Sequence, residues 1–244
     1  MKYKIAVVGV TGLVGQTILR VLEEGHFPVS QLIPVASSQS VGKKITFRNE
    51  ELDVLSVDAA LKKKPHISIF SAGKAFSEEY APQFAKAGSR VIDNSSAWRM
   101  KEGVPLIVPE VNGDQITEDD MIIANPNCST IQLVVALAPL HQSLKLKRII
   151  VSTYQSVTGS GSKAVRQLDN ERAGKFDALY YPHQIDLNVL PHGGDFLPNG
   201  YTEEEVKLVN ETRKIFNTPD LKVTATVARV PVKGGHSEAV TAEF

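Results

Sequence analysis

The only cysteine among the 244 residues, Cys128, stands in NPNCST and leads directly into the apolar run IQLVVALAPL. A thiol at a helix start lies among unpaired N–H groups at the positive end of the dipole, which lowers its pKa and enlarges the thiolate fraction. An isolated cysteine is commonly a small buried apolar residue. Here the polar flanks and the helix-start position favour a nucleophile. Asn125, Pro126 and Asn127 read as a rigid turn, with Ser129 and Thr130 suited to the cap and first turn. Of the six histidines that could serve as proton partner, His26, His66 and His141 read as surface or packing residues. His183 and His192 lie in a long loop, where structural, site-lining and exposed roles all stay open. His236 follows KGG and precedes a strand pattern, so a glycine hinge presents its ring at a sheet end, and it is the favoured acid/base.

A second constellation is GVTGLVG, Gly9 to Gly15, between a strand pattern and a helix pattern. It is a variant of the dinucleotide fingerprint, with Thr11 in place of the second glycine and Gly12 after it. Glycines let the backbone approach a pyrophosphate, and the free N–H groups of the helix start favour anionic charge. The alternative is a tight turn without a ligand. At the end of the second strand pattern, VASSQSVGKK offers Ser37, Ser38, Ser40 and Lys43 and no carboxylate, which suits the 2′-phosphate of NADP rather than the ribose of NAD. A polar surface loop is the competing reading, since Gln39 stands where an arginine would bind the phosphate.

These residues need elements to hold them. KIAVV reads as a buried strand, and Leu13, Val14, Ile18, Leu19 and Leu22 recur at helical spacing up to Gly25. LIPVAS, a hairpin-like ITF and LDVLSV, HISIFSA, the helical FSEEYAPQFAKAG, RVIDNS, PLIVPE and MIIANP continue an α/β alternation with a parallel sheet. The second half is mixed. KRIIVSTYQSV, VTATVARVPV and EAVTAEF read as strands, while GSKAVRQLDNERAG and TEEEVKLVNETRKIF read as helices. The stretch 175–201 reads as an elaborate loop. The expected architecture is α/β: a Rossmann-type dinucleotide-binding domain over residues 1–127 and a mixed α/β catalytic, dimerising domain over residues 128–244.

Composition narrows the partners. Twenty-seven basic residues balance twenty-seven acidic ones, so no global field attracts nucleic acid or an anionic membrane. One cysteine forms no intrachain disulfide, the N-terminus runs straight into a strand pattern, and the longest apolar run is too short to span a bilayer. A cytoplasmic setting with no metal is expected.

Together GVTGLVG, SAGK, VIDNSSAWRM, VPLIVPEVN, IIANPNCSTIQLVVALAPL, VSTYQSVTGSG, PHQI, YTEEEVKLVNETRKIF and RVPVKGGHSEAV resemble the aspartate-β-semialdehyde dehydrogenase family across essentially the whole chain. The resemblance implies reversible, NADP-dependent reductive dephosphorylation of L-4-aspartyl phosphate to L-aspartate-4-semialdehyde and phosphate, in lysine, threonine, methionine and isoleucine biosynthesis. It implies Cys128 as nucleophile, His236 as acid/base and Gln155 as the residue that orients substrate near the thiol. It further implies Arg229 on the substrate α-carboxylate, Glu204 on its amino group, and Lys207 and Arg99 on phosphate. Thr11, Gly12, Leu13, Val14, Gln39, Ser40, Thr158 and Gly159 correspond to cofactor-contacting positions, beside Gly9 and Ser37 from the loop readings above. A homodimer or homotetramer is expected.

Family chains continue beyond the strand after the catalytic histidine, so the chain reads as truncated at its C-terminus. The segment between Gly174 and His183 reads as shortened. An exposed sheet edge is then expected to make the chain aggregation-prone or poorly active. A catalytically incomplete nucleotide-binding paralogue, a related N-acyl-glutamyl-phosphate reductase and a cofactor-free cysteine hydrolase are the competing functions.

Overall fold

The computed structural model of the chain describes residues 2–176, 179–191 and 193–244. His192 lies outside the described residues. The chain divides into two compact units, Met1–Pro109 with Gly113–Pro126, and Glu110–Asn112 with Asn127–Phe244.

In the first unit β1 (Tyr3–Val8) is followed by α1 (Leu13–Glu24), β2 (Val29–Val35), the antiparallel pair β3 (Lys44–Phe47) and β4 (Glu50–Asp53), and α2 (Val57–Lys62). Then come β5 (Ile67–Phe70), α3 (Lys74–Lys86) and β6 (Arg90–Asp93), and, after the short α4 (Pro109–Asn112), β7 (Ile122–Ala124). The main sheet has the order β2-β1-β5-β6-β7 and is parallel throughout. A parallel sheet needs cover on both faces, and β1 shows how this is met. Ile5 and Val7 pack with Leu19 and Leu22 of α1, whereas Ala6 and Val8 pack with Phe70, Phe84 and Val91. Alternation with period two thus feeds two apolar layers from one unbroken hydrophobic strand.

Three sequence expectations change here. PLIVPE forms no strand: only Leu106 bridges Ala124, and Val108 leads into α4. Pro105 and Pro109 bracket the segment and have no N–H to give a ladder. Leu13 and Val14, read as part of an apolar helix face, are 43% and 49% exposed. Helix α2 was not anticipated, because six residues give no readable period; the Ser56 side chain caps it by accepting from the Ala59 N–H.

The second unit contains α5 (Cys128–Leu144), β8 (Arg148–Ser156), α6 (Ser162–Arg172), α7 (Glu203–Ile215), β9 (Lys222–Val230) and β10 (Ser237–Glu243). Its sheet has the order β10-β8-β9, with β9 parallel and β10 antiparallel to β8. Ile149 and Val151 of β8 with Ala225 and Val227 of β9 pack against Leu133 and Leu137 of α5 and Leu208 of α7. The same inner face of β8 continues with buried Thr153 and Gln155, so the sheet face changes from apolar to polar toward the C-terminal end of the strand.

Among the described residues of the stretch 175–201, Leu190 exchanges backbone hydrogen bonds with Arg229 of β9, and two side chains of α6 hold the part before it. Gln167 and Glu171, one turn apart on α6, are both buried. The Gln167 Oε1 accepts from the N–H groups of Tyr180 and Tyr181, and its Nε2 donates to Glu171 and to the His183 carbonyl. Glu171 Oε2 accepts from the N–H groups of Ile185 and Asp186. Glu171→Ala would leave these buried groups unsatisfied, at a cost of roughly 1–3 kcal/mol. Chemical denaturation should show that loss, with faster amide exchange at Ile185 and Asp186.

Candidate active site

Helix α5 starts where it does because Asn127, in extended conformation, turns its side chain back onto the helix. Its Oδ1 accepts from the N–H of Ser129 at 2.9 Å and of Thr130 at 3.4 Å. Asn127 is therefore the cap, and Ser129 and Thr130, suited by sequence to that task, are the residues it caps. Cys128 is the first residue of a 17-residue helix and is exposed. Asn127 is itself held from α7: its Nδ2 donates to Glu204 Oε1 at 2.7 Å and its backbone N–H to Glu211 Oε2 at 2.7 Å.

The parallel register of β8 and β9 sets Gln155 beside Arg229. Gln155 is fully buried and donates from Nε2 to Ser129 Oγ at 2.8 Å. Its Oε1 and the Arg229 Nε are buried and have no hydrogen-bond partner among the described residues. Antiparallel β10 begins next to Tyr154, which brings the residue before it, His236, to the end of β8. The Ser156 N–H donates to His236 Nδ1 at 2.9 Å, and the Ser156 hydroxyl donates to the Gly234 carbonyl at 2.7 Å. A backbone N–H can only donate, so Nδ1 is an acceptor and the neutral ring carries its proton on Nε2.

Gly159 closes the cluster. A Cβ there would lie 3.2 Å from His236 Nε2 and Cε1, tight enough to press on the ring, and 3.6 Å from Arg229 Nη1, an ordinary contact. Thr158 Oγ1 accepts from the Gly234 N–H at 3.0 Å and steadies the glycine hinge before His236. Glu204, nearly buried in the first turn of α7, has Lys207 Nζ 3.5 Å from its second carboxylate oxygen. Burial, and then the Arg229 charge, hold His236 below its ordinary pKa, with Glu204 acting in the opposite direction. Glu238, two residues further, is pushed up to about 7 by burial, against a lowering hydrogen bond with Gln132.

Cys128, Gln155, Arg229, His236, Glu204, Lys207, Thr158 and Gly159 thus all belong to the second unit. Arg99 belongs to the first, in the turn after β6, where its Nη2 donates to the Asn94 carbonyl at 2.8 Å. Buried Asp93 orders that turn by accepting from the Ser95 N–H and from the hydroxyls of Ser77 and Ser95, and Trp98 Nε1 donates to Ser77.

The glycine loop is also in the first unit. Gly9 has φ +86°, and a Cβ there would lie 2.3 Å from the Ser71 carbonyl oxygen; at Gly15 it would lie 2.3 Å from the Gly9 oxygen. Gly12, the N-cap of α1, supplies no side-chain acceptor to the first turn. A cradle of bare backbone and helix-start N–H groups fits the pyrophosphate of a dinucleotide. At the end of β2, Ser38–Ser40 form one 3-10 turn after Ser37, and Lys43 Nζ donates to Ser40 Oγ at 3.3 Å. Ser37 and Gln39 are exposed beside them.

Sequence reasoning missed the cap role of Asn127, the hydrogen bond from Gln155 to Ser129, the Ser156 link to His236, and Glu211. Glu211 left one signal: it sits seven residues after Glu204, hence on the same helix face. Among the described residues no group of three or more His, Cys, Asp or Glu could hold a metal ion, and no helix is long and apolar enough to cross a membrane. His141 stacks on Phe216 at 4.8 Å, and exposed His66 accepts at Nδ1 from the Lys4 N–H, in keeping with the surface or packing roles expected of them.

Comparison with known proteins shows the family. Residues 4–119 match the NAD binding domain of semialdehyde dehydrogenases and residues 137–244 their dimerisation domain. The chain belongs to the semialdehyde dehydrogenase family, and is an oxidoreductase with an NAD(P)-binding domain. Within that family it is similar to aspartate-semialdehyde dehydrogenase of Aquifex aeolicus, 49% identical over 252 residues, covering 100% of this chain and 74% of the relative. The enzyme of Legionella pneumophila is 49% identical over 247 residues, covering 98% and 71%. The crystal structure of aspartate semialdehyde dehydrogenase II from Vibrio cholerae complexed with ASA superposes with a TM-score of 0.95 at 43% identity, covering 100% of this chain and 74% of that one.

The histidine environment gives a signed expectation. Because the folded pKa of His236 lies below 6.5, protonation is costlier in the folded chain than in the unfolded one. The resulting loss of stability is absent above the unfolded value and grows as pH falls from there toward the folded midpoint. An NMR titration should find the His236 midpoint below 6.5, and Arg229→Gln should raise it by removing the nearby positive charge.

Proposed function

We propose that the chain catalyses the reversible, NADP-dependent reductive dephosphorylation of L-4-aspartyl phosphate to L-aspartate-4-semialdehyde and phosphate through a thioester on Cys128. The observation that carries this reading is the convergence, in one unit, of an exposed cysteine at a capped helix start with buried Gln155, Arg229 and Glu204 and with His236. The charges suit the substrate: one ammonium for Glu204, one α-carboxylate for the planar fork of Arg229, and a phosphate for Lys207. The Vibrio cholerae relative solved with ASA supports the same substrate. The product feeds lysine, threonine, methionine and isoleucine synthesis in the cytoplasm.

In the biosynthetic direction the Cys128 sulfur attacks the acyl carbon, the C–O bond to phosphate breaks with its electron pair, and a thioester remains. When bound, NADPH would supply a hydride to the thioester carbon, leaving a thiohemiacetal as its oxyanion. The C–S bond then breaks, releasing the aldehyde and returning the electron pair to sulfur. Gln155, anchored on Ser129, orients the substrate at the thiol. His236 presents Nε2–H to the oxygen that gains charge, and a hydrogen bond aimed at developing charge lowers the barrier most. Taking up a proton requires His236 to exchange its Ser156 contact, so acid/base work and the ring's tautomer are linked.

Gly9, Thr11, Gly12, Leu13 and Val14 would hold the dinucleotide at the start of α1, with Ser37, Gln39 and Ser40 toward the 2′-phosphate that favours NADP over NAD. A nucleotide domain over 1–127 and a catalytic domain over 128–244, assembled as a homodimer or homotetramer, complete the proposal.

The test follows NADPH absorbance with L-aspartate-4-semialdehyde, NADP and phosphate, beside an N-acetyl-glutamyl substrate. Phosphate-dependent reduction of NADP with the aspartyl substrate is expected. Cys128→Ala should abolish turnover while NADP binding persists; surviving activity would remove the covalent mechanism. Arg229→Lys keeps the charge and loses the fork, so kcat/KM for the amino acid substrate should drop by about 10- to 100-fold with cofactor affinity unchanged.

A further inference from the structure

Helix α7 buries Glu204, Leu208, Glu211, Thr212 and Ile215 on one face. Leu208 and Ile215 are what a helix packed on a sheet requires there. Glu211 is not: a carboxylate that is 1% exposed is costly to keep in an interior unless it is hydrogen-bonded. Its Oε2 accepts from the backbone N–H of Asn127, the residue before Cys128. Two turns earlier, Glu204 takes the Asn127 side-chain Nδ2–H, which leaves Asn127 Oδ1 directed at the first N–H groups of α5. The backbone at the nucleophile is therefore fixed on one side by a buried anion and on the other by the helix it caps.

We infer that Glu211 is a positioning residue for the nucleophile: through the Asn127 N–H it fixes where α5 begins, and thereby where the Cys128 sulfur stands. This rests on the reading of Cys128 as the nucleophile. The role is distinct from that of Glu204, which has Lys207 beside it and a substrate ammonium as its proposed partner. Glu211 acts on the chain and not on the substrate, so its loss should change turnover more than substrate affinity. Misplacing a reacting group by about 1 Å can cost on the order of 10²-fold in rate.

The charged and titratable groups on the described elements packed at the start of α5 include Glu204, Lys207 and Glu211 on α7, Arg229 on β9, His236 before β10, and Glu238 on β10, which is hydrogen-bonded to Gln132 of α5 and pushed up to about 7 by burial; the first turn of α5 itself has no acidic residue. Cys128 is the chain's only thiol, so iodoacetamide alkylation reports on it alone and does so without turnover. The experiment compares Glu211→Ala and Glu211→Gln in the full chain, measuring kcat per titratable thiol, substrate KM, and alkylation rate against pH. In Glu211→Ala, kcat per thiol should fall about tenfold or more with KM nearly unchanged.

Glu211→Gln keeps an oxygen that accepts from the Asn127 N–H. It should recover most of that loss, while its alkylation midpoint moves to lower pH because a negative charge beside the helix start is gone. A merely structural role would lower the amount of folded protein and leave kcat per thiol intact. Wild-type kcat per thiol in Glu211→Ala, equal losses in both variants, or an unmoved midpoint in Glu211→Gln would each overturn the assignment. Should Glu211→Ala fail to accumulate, the Glu211→Gln midpoint decides alone. Activity surviving in Cys128→Ala would sink the catalytic reading separately, because the alkylation measurement does not depend on it.

Discussion

Asn127 accepts at Oδ1 from the Ser129 and Thr130 N–H groups and donates from its own N–H and Nδ2 to Glu211 and Glu204. Four helix-start N–H groups have no partner within any α-helix, and a polar residue that satisfies some of them sets the first residue of that helix. Here the first residue is Cys128. If the cap were placed one residue later, the thiol would leave the helix, and the N–H groups around it would change with it. That dependence gives buried acids on α7 a direct hold on the geometry of the thiol, across a sequence separation of 77 and 84 residues.

The sheet of the second unit supplies the rest of the site by register. Parallel pairing sets Gln155 and Arg229 side by side at the C-terminal ends of β8 and β9, and antiparallel β10 returns His236 to the same level. A slip of one residue would turn Gln155 outward and bring Tyr154 or Ser156 in, because side chains alternate along a strand. Apolar Ile149 and Val151, buried on the same face, resist that slip. Packing in the lower part of the strand thereby fixes the chemistry at its end. Gly159 is the steric counterpart, since the absence of a side chain spares the His236 ring a tight contact.

Much of the fold was legible from periodicity. The parallel sheet of the first unit and α5 follow from short apolar runs and their alternation with helical segments, while α1, α6, α7 and the three strands of the second sheet follow from runs long enough to show a period of 2 or 3.6. PLIVPE misled because hydrophobicity was read without the missing N–H groups of Pro105 and Pro109, and α2 was too short to show a period. The functional elements were legible to different degrees. Cys128 was marked by being alone and polar-flanked, and the glycine loop by its place between strand and helix. Glu204 and Lys207 read by themselves as an ordinary helix start, and the i,i+3 contact at 3.5 Å is present as such a reading would have it.

Sequence by itself determined the local facts: a thiol at a helix start, a glycine-rich turn after a strand, a neutral overall charge, and the alternation that sorts residues between core and solvent. These depend on neighbours a few positions apart, where spacing and backbone geometry act directly. Tertiary structure decided which distant residues share a boundary. That Glu211 meets Asn127, that Arg229 stands beside Gln155, that Ser156 assigns the tautomer of His236, and that Gln167 and Glu171 tie down a loop all arise from strand register and helix packing. Such pairings are set by the burial of apolar faces over the whole unit, and no local pattern encodes where those faces bring two polar groups together.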